Sequence, residues 1–189
     1  MGSVGKGSIS VSSTEQLIYN ALVRQRGAVD IPDLDKLERE AKTADFNRLL
    51  ELSKETGAST TVGFDMSQNQ EGVYTVVNGE LRFNGQPQPS QELLNEVRDN
   101  PVSVAAIRES IQRQVDAQRS RIEMAKELAN PTTIREAIQN NRYRNEIIGH
   151  NPRVVGLTQG TNGWQYRIEY DVPGSASNVV NVYVPRRYR

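Results

Sequence analysis

An α+β fold is what this sequence predicts, and three observations carry the prediction. Apolar residues between Asn100 and Asn130 recur at helical spacing. An Asn78-Gly79 pair sits between two runs rich in β-favouring residues. From Trp164 to Val172 apolar and polar residues alternate strictly. The expected order is a helical N-terminal unit, a β-hairpin segment, a long helical hairpin and a C-terminal antiparallel three-stranded meander.

The first twelve residues are rich in Gly and Ser and read as a flexible lead-in. Ser13-Thr14-Glu15-Gln16 fits a capping box, with Ser13 as N-cap and Gln16 at the third position. A helix should follow through Leu17, Ile18, Ala21, Leu22 and Val23 and stop at Gly27. Ile31–Leu34 bridges into a second helix marked by Leu34 and Leu37. Thr43 is the candidate cap of a third, which uses Phe46, Leu49, Leu50 and Leu52 and ends at Gly57. The period then changes. Residues 58–66 read as a strand, 67–72 as a loop and 73–77 as a second strand. Asn78-Gly79 then supplies the positive φ that a tight hairpin needs, and residues 80–83 return. Asn84–Pro89 is a polar loop, after which Ser90 caps a short helix through Leu93, Leu94 and Val97.

Asn100-Pro101 opens the long helix, because Asn accepts from orphan N–H groups and Pro has a helical φ. Asn130-Pro131 ends it and starts the next, since a residue before Pro resists the α region. The intervening stretch spans roughly 43 Å at 1.5 Å per residue. Val104, Ile107, Ile111, Val115, Ile122 and Ala125 form one narrow stripe that fades at Gln118–Arg121. Such a helix is half solvated, or packs along another helix or another chain. Pro131–Ile148 should be one helix ending at Gly149. Residues 153–159, 164–172 and 179–184 read as the strands of the meander, with Trp164, Tyr166, Ile168, Tyr170 and Val172 on its dry face. The domains follow as 1–12, 13–99, 100–149 and 150–189.

Composition narrows the function classes. Hydrophobic residues make up 36% and the mean hydropathy is −0.63, so much of the surface is polar or committed to partners. With no Cys, disulfides and thiolate metal sites are excluded. No apolar run is long enough to span a membrane, and the N-terminus lacks the apolar region of a signal peptide, so a soluble chain is expected. Residues 1–100 carry 10 basic and 15 acidic side chains, and residues 101–189 carry 13 and 8. That segregation fits a nucleic-acid face or head-to-tail attraction between subunits.

The chemistry-bearing residues are few. His150 is the only His, in a Gly-His-Asn-Pro linker, and reads as a surface or capping residue. Asp30, Asp33 and Asp35 lack the Gly and Glu of a calcium loop and fit helix-start roles better. The Gly residues match no phosphate-cradling pattern. Trp164, Tyr166 and Tyr170 could stack bases, but the strand pattern assigns them to the core. Arg residues on the long helices alternate with Glu and Asp, as in ion-paired faces. No cofactor or metal is implied.

The sequence therefore points to a non-catalytic interaction or assembly subunit. Its contact seam would be Ile107, Ile111, Val115 and Ile122, with a protein partner or a second copy. The alternatives are nucleic-acid binding through the basic C-terminal half, and a small secreted toxin-like enzyme domain using Arg, Tyr and Glu. Arg186, Arg187, Tyr188 and Arg189 would meet phosphate or an acidic partner from a free tail.

Overall fold

The computed structural model describes residues 13–25, 29–66, 70–87 and 89–188. Its elements are α1 (Ser13–Gln25), α2 (Leu34–Thr43), α3 (Phe46–Thr56), β1 (Thr60–Met66), β2 (Gln70–Val77), β3 (Glu80–Phe83), β4 (Gln86–Pro87) and α4 (Gln91–Asp99). Then follow α5 (Pro101–Leu128), α6 (Pro131–Gln139), α7 (Arg144–Ile148), β5 (Arg153–Gly160), β6 (Gly163–Tyr170) and β7 (Asn178–Tyr183). The fold is α+β: N-terminal helices, an antiparallel sheet ordered β1-β2-β3-β4, a long helix and its successor, and a sheet ordered β5-β6-β7. The described residues form two compact units, 29–119 in the first and 13–25 with 120–188 in the second. Contacts thus group α1 with the C-terminal sheet.

In the first unit, local chemistry sets the helix ends. Asp33 caps α2 by accepting from the Lys36 N–H, and Asp45 caps α3 by accepting from the Arg48 N–H. The expected cap Thr43 is instead the last residue of α2. A carboxylate two residues on is the stronger acceptor for orphan N–H groups. Gly57 closes α3 in the left-handed region, as its sequence position required. Ser90 caps α4 through the Leu93 N–H, and Asn100 accepts from Val102 N at the start of α5.

The hairpin turn falls where Asn78-Gly79 placed it, with φ of 52° and 74°. Asn84-Gly85 makes a second such turn, with φ of 50° and 78°, and returns the chain as β4. The sequence reads that segment as a polar loop with Pro87 and Pro89; β4 tolerates Pro87 by being two residues long and at the sheet edge. β2 also starts earlier than expected, at Gln70, where it pairs with Met66. The missing side chain of Gly72 is filled by the Phe83 ring.

α2 runs antiparallel to the first half of α5. Arg119 reaches Asp35 and Glu38 near the start of α2, at 2.8 and 2.7 Å. Gln112 donates to Glu38, and Arg108 donates to the carbonyls of Ala41 and Ala44 at the other end. Along this half of α5, Ile107, Ile111 and Val115 are fully buried. Where the apolar stripe fades, Gln118 is buried as well, and Ser110 is accommodated by donating to the Ile107 carbonyl.

In the second unit, the stretch expected as one helix from 131 to 148 breaks at 140–143. Asn130 caps α6 as predicted, but Asn140 takes a non-helical ψ, and the Asn141 side chain accepts from the Tyr143 N–H. An Asn pair offers the backbone that local alternative, which the apolar spacing does not register. The sheet has the expected alternation: Trp164, Tyr166, Ile168 and Tyr170 are buried, whereas Arg167 is exposed. Val172, assigned to the same strand, lies beyond its end. Tyr166, fully buried, donates its hydroxyl at 2.6 Å to the carbonyl of Leu128, one of the last α5 carbonyls, which have no intrahelical partner.

A pair of substitutions separates the two demands on the hairpin glycines. A Cβ at Gly79 would lie 2.7 Å from the Leu50 carbonyl oxygen and 2.8 Å from Lys54 Cβ, whereas one at Gly85 meets nothing within 4 Å. Both positions have positive φ, which costs about 1 kcal/mol for a non-Gly residue. Gly85→Ala should therefore lower stability by about 1 kcal/mol and Gly79→Ala by about 2–3 kcal/mol. Urea unfolding of the two variants checks the order.

Candidate functional site

The side chains singled out in the sequence lie in three settings. Ile107, Ile111 and Val115 have no exposed surface and Ile122 has 8%. The proposed seam is thus covered within the single chain.

The C-terminal residues expected on a free tail are tied down. Arg186–Tyr188 forms a short 3-10 turn. Arg187 makes a bidentate pair with Glu136 of α6, both bonds 2.8 Å, and stacks over the Tyr188 ring. The Tyr188 hydroxyl donates to Glu127. An acidic partner for the tail therefore exists within the chain, and a charge-assisted fork of this kind is a strong surface clasp. Arg186 stays exposed, and Arg189 lies outside the described residues.

His150 donates from its Nδ1 to the Glu146 carbonyl near the end of α7, a capping role. Among the described residues no three His, Asp or Glu side chains converge to hold a metal ion.

The groups with displaced protonation equilibria also serve packing. Burial pushes the Tyr166 hydroxyl up, and its proton is donated to Leu128. Burial likewise raises Tyr74, offset in part by the Ser103 hydroxyl beside it. The Arg187 guanidinium holds Glu136 below the usual carboxylate range. Ser177, donating at 2.6 Å, and then Arg153 do the same for Glu169. Arg48, held protonated chiefly by Glu40 and then Glu51, ties α2 to α3.

What remains open is the outward face of the C-terminal sheet and its β5 border. On that face Arg153, Gly156 and Thr158 of β5 lie beside Glu169, Arg167 and Gln165 of β6. These in turn lie beside Val179, Asn181 and Tyr183 of β7. Arg153 bridges Glu169 and Asp171 at 3.3 and 3.0 Å, so both carboxylates are already taken. Arg167 has no such partner among the described residues. Its stem crosses Gly156, where a Cβ would come within 3.3 Å of Arg167 Cδ. A bulge at Val155 locally shifts the register there.

α1 packs on β5, and between them runs a groove of about 570 Å³. Leu17 and Ala21 of α1 and Leu157 and Trp164 of the sheet give it apolar walls, and Arg24 and Arg167 bring the charge. Among the described residues no Asp or Glu lines it. Val155, Val179 and Tyr183, exposed by 40–49%, add apolar surface near by. A second groove, about 340 Å³, lies between α6 and β7 and includes Asn140, Asn141, Tyr183 and Arg186.

The sequence marked Arg167 as a wet-face residue but gave no sign of Arg24. The pairing of α1 with a strand more than 125 residues later leaves no local trace. The chain matches no protein-family model, no curated protein and no solved structure.

The tail clasp has a definite pH signature. Because Arg187 depresses the folded-state pKa of Glu136, its contribution to stability is present above the ordinary value of 4.5 and lost as pH falls through the lower folded value. A carboxyl-carbon NMR titration should find Glu136 titrating below 4.5, and Arg187→Gln should return it to the ordinary range.

Proposed function

We propose that this chain is a non-catalytic binding and assembly protein that meets its partner through the second unit. The observation that carries the reading is the unbalanced charge around a groove with apolar walls. Among the described residues, Arg24 and Arg167 stand in that groove without a carboxylate, while Arg153 and Arg187 are already paired. The wider charge distribution agrees. The stretch 29–119 carries 10 basic and 16 acidic side chains, and 13–25 with 120–188 carry 10 and 7. Opposite net charges steer encounters with acidic surfaces, including those of another copy.

Binding fits the use of polar groups better than catalysis does. Tyr166 spends its proton on a helix end, Glu136 clasps the tail, and Glu169 holds Arg153. Each displaced group is engaged in holding the fold. Nucleic-acid binding draws on the same positive charge and is the second reading. It loses the aromatic platform, because Trp164, Tyr166 and Tyr170 are at most 9% exposed.

Photo-crosslinking within the cell of origin tests the reading. Benzoylphenylalanine at exposed Thr158 or Asn181 should give discrete protein adducts heavier than the 21.2 kDa chain. The same label at Val102, 68% exposed in the first unit, should give none of these. Adducts to nucleic acid alone, or none from either sheet position, would contradict the proposal.

A further inference from the structure

We propose that the groove between α1 and β5 binds an extended acidic segment of a partner protein. The segment's carboxylates would meet Arg24 and Arg167, and one of its apolar side chains would rest against Leu17, Ala21 and Trp164. The proposal rests on the reading that the second unit faces the partner, and it names what that unit recognises.

Size is the first argument. About 570 Å³ falls within the range of ligand-binding clefts, roughly 300–1,000 Å³. Shape is the second. Val155–Gln159 line the groove as five consecutive residues of one strand, a run of roughly 15 Å at 3.3 Å per residue. The helical wall from Leu17 to Arg24 adds roughly 10 Å at 1.5 Å per residue. A slot of that length takes about four residues of extended peptide.

Charge is the third argument. Among the described residues, two guanidiniums and no carboxylate line the slot, and neither Arg has an ion pair. Glu169, on the same sheet face as Arg167, is engaged by Arg153 and Ser177. Arg forks match carboxylates in geometry as well as in sign. The two cations sit on different elements, α1 and β6, with an apolar wall included between the same borders. That arrangement suits carboxylates spaced along a chain with an apolar side chain among them. A phosphate backbone would ask for a continuous cationic track, and here two cations on separate elements share the slot with an apolar wall.

Trp164 is the chain's only Trp and lines the groove, so emission excited beyond the absorption of the tyrosines reports this site. The probe is an acetylated octapeptide of alternating Glu and Val, titrated into the intact chain at low salt. A saturable change in emission is expected, weakening as salt rises. A Lys-Val octapeptide should produce no change. Arg24→Gln and Arg167→Gln should each weaken binding by about fivefold, the upper end for an exposed ion pair. Arg135→Gln, an exposed cation of α6, should leave it unchanged. All three altered side chains are exposed, and an unchanged thermal midpoint confirms that each variant is folded. An equal response to an octathymidylate would overturn the proposal in favour of phosphate recognition. No response to any probe up to millimolar concentration would overturn it outright. Crosslinked protein adducts from Thr158 or Asn181 without a peptide response would leave the assembly reading standing and remove only this groove.

Discussion

The burial of one narrow stripe on α5 is the constraint on which the rest depends. Fully burying an Ile or Val side chain is worth about 1.5–3 kcal/mol relative to exposure, so Ile107, Ile111 and Val115 together outweigh any set of surface ion pairs. The pairs set register instead. Arg119 to Asp35 and Glu38, and Arg108 to the end of α2, hold the two helices antiparallel at fixed points. Exposed pairs of this type contribute about 0–1 kcal/mol each, enough to choose an alignment and too little to create one. Buried Gln118 and Ser110 extend the covered face beyond its apolar residues, which is how a lean sequence provides a core for a 28-residue helix.

The same economy explains the second unit. Tyr166 fills the core with its ring and satisfies a terminal α5 carbonyl with its hydroxyl, so one side chain joins sheet packing to helix capping. Glu136 and Glu127 hold the C-terminal turn through Arg187 and Tyr188. Arg153 takes up the carboxylates of Glu169 and Asp171. Once these pairs are made, positive charge is left on the α1–β5 border, beside apolar groove walls. The proposed binding role follows from that remainder.

Features set by a few neighbouring residues were legible in the sequence. Asn78-Gly79, Ser90, Gly57, Asn100-Pro101 and Asn130-Pro131 each act through a φ restriction or one side-chain acceptor. Alternation likewise revealed the dry face from Trp164 to Tyr170. Legibility failed where two local signals competed. Asp45 displaced Thr43 as a cap, Asn141 broke a helix that apolar spacing favoured, and the prolines masked the Asn84-Gly85 turn. It failed more fully where the cause is distant in the chain. Nothing near Arg24 signals β5, nothing near Arg187 signals Glu136, and the thin α5 stripe gave no hint that α2 would lie along it. The candidate site belongs to this last group: of its two cations the sequence marked one as outward-facing and left the other unmarked.

The central claim is that one chain satisfies its own long helix, so that α5 is core and the proposed binding face lies elsewhere. Hydrogen exchange of the α5 amides, followed while the protein is diluted from high micromolar to nanomolar concentration, tests this most directly. Protection around Ile107, Ile111 and Val115 that is independent of dilution is the predicted result. Protection that falls away as copies separate would place the covering surface on a second chain and contradict the account.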